Sequence, residues 1–356
     1  MRRGIGVIGC GNIAPIYLSN LARFPVTPVV ALADLDEEKA KHRAAEFGIG
    51  RVLSVEGLLA EPEVDLVLNL TVPHSHAEIA LAALRAGKHV YSEKPLAVER
   101  EQGERIIQEA RDRGLTVGCA PDTFLGGSHQ LCRRLIDQGR IGRPIAAQAF
   151  MMCHGHEGWH PSPAFYYEVG GGPLFDMGPY YLTALVNLLG PVASVSGSAG
   201  ISFPERTITS EPKLGKVIPV ETPTHISAVL EFESGAIVGL TTSFDVWHHG
   251  MPHIEVYGSE GSLRVPDPNG FGGDVWLRRH DDPEWCLVTP AEPRFMENAR
   301  GVGVLDQVEA IAEGREPRAS GALGMHVLDA MSAILESADA GHKLALTHRT
   351  NRPSPL

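Results

Sequence analysis

The chain has 356 residues, a formal net charge of −12 and 5 cysteines. Its length exceeds the usual size of one domain, so two domains are expected. The acidic balance argues against a nucleic-acid partner or an anionic membrane surface, and no apolar run approaches the length of a membrane span. Because Met1-Arg2-Arg3 leads directly into a predicted strand and not into a signal peptide's apolar region, we expect a soluble, cytoplasmic protein.

The cysteines lie far apart in the sequence, and no two of them form a C-x-x-C pair. Such a set is typical of reduced thiols and not of a disulfide framework or a structural zinc site, so no bound metal is expected. Cys10 lies inside a glycine-rich turn, where an electropositive setting could lower the pKa of its thiol. We interpret it instead as a small residue that fills space.

The first predicted elements are a short buried strand, Ile5–Ile8, and a helix with apolar residues at Ile16, Leu18, Leu21 and Phe24. The turn between them reads Gly9-x-Gly11-x-x-Ala14. Gly9 permits a tight turn, Gly11 lets the backbone approach phosphates, and Ala14 lets helix and strand pack closely. A pyrophosphate could therefore dock here, facing the positive end of the helix.

The second predicted strand, Val29–Ala33, ends in Asp34, about 20 residues after the last fingerprint position. An acid at that place can accept both ribose hydroxyls of an adenosine, so the pattern predicts a bound dinucleotide. Asp34 and Asp36 would repel a 2′-phosphate, which favours NAD over NADP. Arg43 could still support a phosphate.

Helices and strands then alternate over short connections to about residue 120. The predicted helices are 36–47, 76–86 and 99–113, and the predicted strands are 51–53, 64–70, 90–91 and 115–119. This alternation indicates an α/β doubly wound parallel sheet, and we assign residues 1–121 to a dinucleotide-binding Rossmann domain. Ligands of such sheets bind beyond the carboxyl ends of the strands.

Two polar segments follow neighbouring strands of this sheet. Thr71-Val72-Pro73-His74-Ser75-His76 follows one, and Glu93-Lys94-Pro95 follows the next. Lys94 lies between an acid and a proline at the end of a strand. This placement favours a functional role over that of a surface lysine that only pairs with Glu93. One of the two histidines is expected to cap the following helix or to line the cofactor cleft.

Residues 122–356 have a different pattern, with longer, alternating strands. The predicted strands are 147–152, 225–232, 237–244, 254–258 and 275–278, followed by helices 305–313 and 323–340 and an extended tail. Turns at 233–235 and 259–261 predict hairpins. We expect an α+β domain with a large, mostly antiparallel open sheet, whose outer face pairs subunits into a homodimer or homotetramer if that face is apolar.

The segment His156-Glu157-Gly158-Trp159-His160 matches the H-E-x-x-H zinc-protease motif letter for letter. That mechanism needs both histidines on one helical face, and the neighbouring glycines and prolines disfavour a helix. A plain loop is one alternative. Another is a sugar-binding loop, in which Trp159 stacks on a sugar face and His154, His156 or His160 bonds hydroxyls.

The second constellation is the run from Gly170-Gly171-Gly172 through Asp176 to Tyr180, which leads into an apolar helix. The glycines would allow close approach of backbone and ligand. The helix begins either near Pro179 or at Pro173 with a bend. If the segment is helical, Asp176 and Tyr180 share a face near the helix N-terminus, which would favour a tyrosinate.

With the glycine fingerprint, Glu93-Lys94-Pro95 and the Gly170–Tyr180 run in this order, the chain resembles the Gfo/Idh/MocA family of glucose-fructose oxidoreductase and inositol dehydrogenase relatives. The likeness runs nearly end to end. It implies oxidation or reduction of a hydroxyl on a sugar or cyclitol, with Lys94 as the E-K-P lysine and Asp176 as the substrate-binding aspartate. The departure is Tyr180, where many inositol dehydrogenase-like members have histidine.

We expect an NAD(P)-dependent dehydrogenase in which Tyr180 takes a proton from a substrate hydroxyl, Lys94 stabilises the phenolate and the alkoxide, and Asp176 holds a neighbouring hydroxyl. The predicted cofactor contacts are Gly9, Gly11, Asn12, Ile13, Asp34, Thr71, Pro73, His76, Glu93 and Lys94. The predicted substrate contacts are Asp122, Trp159, His160, Asp176 and Tyr180. The rival interpretations are a redox-assisted glycoside-cleaving enzyme with tightly bound NAD, a non-catalytic NAD-dependent sensor, and a metalloprotease.

Overall fold

The structure is a computed structural model that describes residues 4–24 and 28–356, so the interpretation of Met1-Arg2-Arg3 lies outside the described residues. The chain divides into two compact units. The first comprises Met1–Leu125 and Glu297–Leu328, and the second comprises Gly126–Met296 and Asp329–Leu356. The predicted boundary between residues 121 and 122 lies close to the first crossing, but the chain returns to the first unit for residues 297–328, which the predicted domains did not include.

The helices of the described residues are, in chain order, α1 (Ala14–Leu21), α2 (Glu37–Phe47), α3 (Val55–Ala60), α4 (His76–Arg85), α5 (Arg100–Arg113), α6 (Gly127–Asp137), α7 (Gly172–Leu189), α8 (Val302–Glu313) and α9 (Gly321–Ala340). The strands are β1 (Ile5–Ile8), β2 (Val29–Ala33), β3 (Leu66–Asn69), β4 (His89–Ser92), β5 (Val117–Cys119), β6 (Pro144–Met152), β7 (Val192–Gly200), β8 (Glu205–Thr207), β9 (Val217–Pro219), β10 (His225–Phe232), β11 (Ile237–Ser243), β12 (Ile254–Gly258), β13 (Gly261–Val265), β14 (Val275–Arg279), β15 (Cys286–Val288) and β16 (Leu344–Ala345).

The first unit is built on a parallel sheet with the strand order β2-β1-β3-β4-β5. Strands β1 and β3 are buried along their whole length, as apolar strands covered on both faces by helices must be. The doubly wound parallel sheet is therefore confirmed. The predicted strand at residues 51–53 is wrong, because Val52 makes only an isolated bridge to Leu32 and Ser54 then caps α3.

Main-chain and side-chain hydrogen bonds attach the returning segment, residues 297–328, to the first unit. The N–H of Cys119 donates to the carbonyl of Ala319 at 2.9 Å, beside the edge strand β5. The side-chain amide of Asn20, on α1, donates to the carbonyls of Asn298 and Arg300 at 2.8 and 2.9 Å. These contacts join residues far apart in the sequence, which is why sequence patterns did not reveal them.

The second unit contains a large mixed sheet with the order β15-β14-β13-β12-β6-β11-β10-β7-β16. Its pairs are antiparallel except β6 with β11, and both predicted hairpins are confirmed as β10–β11 and β12–β13. Helix α7 contacts β6, β10 and β11. Along β10 buried and exposed residues alternate, so that Ile226, Ala228 and Leu230 face the core.

The C-terminal tail fixes the end of α7. The guanidinium of Arg352 donates to the carbonyls of Asn187 and Leu188 at 2.9 and 2.7 Å, and it also reaches the Asp137 carboxylate at 2.8 Å. A cation at the last turn satisfies carbonyls that have no partner within the helix.

Across the described residues, every helix is too short or too polar to cross a membrane.

Candidate functional site

The glycine turn after β1 has the geometry that its sequence predicts. Gly9 has a φ of +102°, and a Cβ there would lie 2.6 Å from main-chain atoms of Leu70, so only glycine fits. Gly11 is different, because a Cβ added there would meet no atom within 4 Å. Gly11 and Asn12 are both exposed. The backbone therefore borders open space at the point where a pyrophosphate is expected.

Helix α1 and Asp34 complete this turn. Among the described residues α1 has no side-chain cap and no acid in its first turn, which leaves its positive end available to an anion. The Asp34 carboxylate accepts from the N–H of Cys10 at 2.7 Å and from the N–H of Asp36 at 2.8 Å. These two hydrogen bonds hold the carboxylate beside the turn. Burial raises the pKa of the Cys10 thiol to about 11, so the expectation of an inert filler fits better than that of a reactive thiol.

A cavity of about 480 Å³ lies next to the turn. Its lining residues are Cys10, Gly11, Asn12, Asp36, Glu38, Lys39, His42 and Arg43. Arg43 forms an ion pair with Glu46 at 2.6 Å, and the Asp36 carboxylate caps α2 through the N–H of Lys39. The Lys39 ammonium also lies 3.4 Å from the Asp36 carboxylate, so Arg43 and Lys39 both already have acidic partners, in agreement with a cofactor that lacks a 2′-phosphate.

The Glu93-Lys94-Pro95 segment follows β4, as predicted. Glu93 is buried and holds this segment in place. The Glu93 carboxylate accepts from the Tyr17 hydroxyl of α1 at 2.7 Å and from the main-chain N–H of Lys94 at 2.9 Å. Burial and the neighbouring Glu93 raise the pKa of Tyr17 well above its ordinary value, so its hydroxyl stays a donor. Lys94 is half-buried. Its backbone position is set by a residue that itself faces the protein interior.

His76 joins the two strand-end loops of this unit. The side chain is 1% exposed, and its ring nitrogens lie 2.6 Å from the carbonyl of Pro95 and 3.0 Å from the carbonyl of Thr71. Burial lowers the pKa of the imidazole, while the two carbonyls, which only accept hydrogen bonds, act in the opposite direction. Both ring nitrogens face main-chain oxygens. His76 therefore supports the two loops that carry the predicted cofactor contacts Thr71 and Lys94. Pro73 starts a short 3-10 turn just before α4.

Asp122, predicted to contact substrate, has a structural role. It is 2% exposed, and one carboxylate oxygen accepts from the N–H groups of Gly301 and Gly303 at 2.8 and 3.0 Å. These groups belong to the first turn of α8, where an anion is stabilised. Burial nevertheless raises the pKa of this carboxyl to about 6. Asp122 therefore anchors the returning segment, which corrects the prediction.

In the second unit, α7 begins at Gly172, so the alternative start near Pro179 is wrong and Pro179 lies inside the helix. The preceding glycines serve the protein's own packing. A Cβ on Gly171 would lie 2.6 Å from the carbonyl oxygen of Phe165, and one on Gly172, whose φ is +77°, would lie 2.8 Å from the carbonyl oxygen of Pro223. Gly171 and Gly172 are therefore needed for close approach to the protein's own backbone, and close approach of a ligand stays a prediction.

Because α7 begins at Gly172, Asp176 and Tyr180 both lie within the helix. They are four residues apart, about one turn, and therefore share a face of α7. Tyr180 is 7% exposed, and the Asp176 side chain is 17% exposed. Tyr180 lies in the third turn of the helix. Because the dipole effect is confined to the first turn, the expected support of a tyrosinate by the helix N-terminus is wrong.

The H-E-x-x-H segment is a loop, so the two histidines do not share a helical face. Glu157 is 7% exposed; it forms an ion pair with Arg206 at 2.9 Å and accepts a short hydrogen bond from the Tyr167 hydroxyl. Within the described residues no cluster of three potential metal ligands occurs. His156 instead places its Nε2 3.2 Å from Asp176 Oδ2. The sequence did not distinguish among the three histidines of this loop, and the structure shows that His156 is the one beside Asp176.

The remaining predicted substrate contacts are surface residues of the same loop. Trp159 is 63% exposed, and its ring lies 5.2 Å from that of His156, edge-on. His160 accepts from the N–H of Ser162 at 3.0 Å, and burial lowers the pKa of its imidazole. Both stay predictions. Arg206 and Asp245, which fix the loop, had no signal in the sequence.

Comparisons with known proteins agree with this architecture. The model of an oxidoreductase family with an NAD-binding Rossmann fold matches residues 3–120, and that of the GFO/IDH/MocA C-terminal domain matches residues 129–264. A 1,5-anhydro-D-fructose reductase of Ensifer adhaerens is 30% identical over 94% of this chain and 96% of its own. A dTDP-3,4-didehydro-2,6-dideoxy-alpha-D-glucose 3-reductase of Actinomadura kijaniata is 32% identical over 88% and 89%.

A solved structure shares the fold. A levoglucosan dehydrogenase in complex with NADH and L-sorbose aligns with a TM-score of 0.85 at 22% identity, covering 97% of this chain and 99% of its own.

Replacing Gly11 by alanine tests the cofactor turn. Because the added Cβ meets no protein atom, the melting temperature should not change, whereas the Cβ would fill space that the pyrophosphate needs. We expect the Kd for NADH to rise at least about tenfold, or about 1.4 kcal/mol, in a fluorescence titration. Gly50→Ala is the matched control, since a Cβ there also meets nothing and Gly50 lies outside the turn. NADH affinity equal to that of the wild type in Gly11→Ala contradicts this assignment.

Proposed function

Because the chain belongs to the GFO/IDH/MocA family of NAD-binding oxidoreductases, we propose that it transfers a hydride between NAD and a hydroxyl-bearing carbon of a sugar, glycoside or cyclitol. The observation that carries the chemistry is the shared face of α7, which sets a carboxylate and a phenol side by side at Asp176 and Tyr180. The names of the relatives, which are sugar reductases, support a polyhydroxylated substrate.

Bound NAD would supply the hydride acceptor. We assign its pyrophosphate to the turn at Gly9, Gly11, Asn12 and Ile13 and its adenosine ribose to Asp34. This assignment is supported by the open space at Gly11, by the uncapped start of α1 and by the fixed carboxylate of Asp34. Thr71, Pro73 and Lys94 follow the next two strands of the sheet, at the edge where the nicotinamide half is expected.

Lys94 is proposed to bind the reacting hydroxyl of the substrate. An ammonium beside that oxygen stabilises the negative charge that develops as the proton leaves. Its position is supported by Glu93, which holds the main-chain N–H of Lys94 and is itself held by Tyr17. A lysine whose backbone is fixed loses less freedom when the substrate binds, and this preorganisation favours the charged transition state.

Tyr180 is proposed as the general acid-base. A free phenol, with a pKa near about 10, is a poor base at neutral pH, so a nearby cation is needed to stabilise its phenolate. Lys94 is proposed to provide that charge. Asp176, one turn earlier on α7, would accept a hydrogen bond from a neighbouring hydroxyl of the substrate and thereby fix which carbon faces the nicotinamide.

Tyr180→Phe tests this mechanism with the loss of one oxygen atom. We expect kcat to fall at least about 100-fold, because proton transfer is lost, while the Kd for NADH stays within twofold of the wild type. The reaction is followed as NADH formation with levoglucosan, myo-inositol, L-sorbose and methyl glucosides.

Tyr181→Phe is the matched control for this experiment. The Tyr181 hydroxyl donates to the carbonyl of Phe150 at 3.1 Å and lies 3.0 Å from a ring nitrogen of His253, so its removal should leave turnover intact. Full activity of Tyr180→Phe removes the tyrosine from this role. Release of an aglycone from a chromogenic glycoside without net NADH would instead identify a redox-assisted glycoside-cleaving enzyme.

We also propose that subunits pair through the outer face of the large sheet. Val229 on β10 is 47% exposed and Ile237 on β11 is 55% exposed, on a sheet whose other face contacts α7. Val229→Lys would place a charge on that face and should convert the dimer or tetramer into a monomer by light scattering. A wild-type chain that is monomeric at every concentration contradicts this proposal.

A further inference from the structure

The imidazole of His156 hydrogen-bonds the carboxylate of Asp176, the proposed substrate-binding residue. Its Nε2 lies 3.2 Å from Asp176 Oδ2, and its side chain is 11% exposed. The other ring nitrogen, Nδ1, is fully buried and has no hydrogen-bond partner within the described residues. The ring therefore offers one polar edge, and that edge is directed at Asp176.

The partner determines which ring nitrogen carries the hydrogen. An ionised carboxylate only accepts hydrogen bonds, so Nε2 must be the donor. In the neutral imidazole, Nδ1 then carries a lone pair and no hydrogen. Its surroundings fit this state, because the rings of Tyr166, Phe244 and Trp159 approach the imidazole edge-on at 4.1, 4.7 and 5.2 Å between centroids. A second N–H placed among these rings would be a buried donor without an acceptor, which costs more than an unpaired acceptor.

The loop that carries His156 is anchored on both sides. Glu157, the next residue, forms an ion pair with the buried guanidinium of Arg206, which also bonds the Asp245 carboxylate and the Phe244 carbonyl. On the other side Gly155 has a φ of +75°, and a Cβ there would lie 2.1 Å from the Tyr167 hydroxyl oxygen. The backbone of His156 is thus fixed before any ligand binds.

We propose that His156 is a positioning residue that holds the Asp176 carboxylate in the orientation which receives the substrate. The inference rests on the proposed function, and it assigns to the H-E-x-x-H segment a role that is neither metal binding nor contact with the cofactor. A carboxylate on a helix can rotate about two side-chain bonds. A fixed donor on Oδ2 selects one orientation and directs the remaining lone pairs of Asp176 toward a substrate hydroxyl.

A conservative pair of variants separates positioning from packing. His156→Gln keeps an amide donor near the place of Nε2, whereas His156→Met fills similar volume without a donor. We expect His156→Met to raise KM for the sugar at least about tenfold, with a smaller loss of kcat and an unchanged Kd for NADH. His156→Gln should recover KM to within about threefold of the wild type, because the hydrogen bond to Asp176 is restored.

A histidine of the same unit provides the matched control. His225 on β10 bonds the Ser243 hydroxyl at 2.9 Å and belongs to no proposed site. His225→Met should leave KM and kcat unchanged. A purely structural role for His156 would appear as a fall in kcat at unchanged KM, together with a lower melting temperature, and no rescue by glutamine. That outcome, or a wild-type KM in His156→Met, overturns the proposal.

A spectroscopic measurement tests the same contact without a substrate. In protein labelled with heavy-isotope histidine, two-bond proton–nitrogen spectra distinguish which ring nitrogen bears hydrogen, and the signal of His156 is identified by its loss in His156→Gln. Hydrogen on Nε2, with a shift of that signal in Asp176→Asn, is expected. A neutral ring with hydrogen on Nδ1 overturns the proposal. If the wild type oxidises no sugar, the proposed function fails, and this spectrum still decides whether His156 holds Asp176.

Discussion

The residue at which α7 begins determines what the second unit can do. Starting at Gly172, the helix sets a carboxylate and a phenol on one face, and a start at Pro179 would have separated them. Two close main-chain approaches make this start possible, at Gly171 and Gly172, where a side chain would collide with carbonyl oxygens. The far end of the same helix is held by the guanidinium of Arg352. Both ends are therefore fixed by interactions with main-chain carbonyls.

In both units a buried acidic residue fixes the backbone of the neighbouring residue to which a function is proposed. Glu93 holds the main-chain N–H of Lys94 and is itself held by Tyr17. Glu157 holds the loop beside His156 and is itself held by Arg206 and Tyr167. In each case the acid is the internal support, and the proposed functional group belongs to the adjacent residue. Such supports keep the functional groups in place before a ligand binds.

Local patterns predicted what depends on neighbours in the sequence: the glycine turn, the strand ends that carry Asp34 and Lys94, and the hairpins of the large sheet. They did not predict contacts between distant residues. Asp122 was predicted to contact substrate, but its partners lie at Gly301 and Gly303. His156 could not be separated from His154 and His160, since only the folded loop decides which imidazole reaches Asp176. Arg206 has no motif at all.

The proposed mechanism requires that a nicotinamide and a polyol meet where Lys94 and Tyr180 both reach the reacting oxygen. A crystal structure of the chain with NADH and a sugar or cyclitol that it oxidises is the most direct measurement. The account predicts that the Lys94 ammonium and the Tyr180 hydroxyl each lie within hydrogen-bond distance, about 2.6–3.2 Å, of the hydroxyl on the carbon next to nicotinamide C4. A bound sugar whose reacting hydroxyl contacts neither side chain would contradict it.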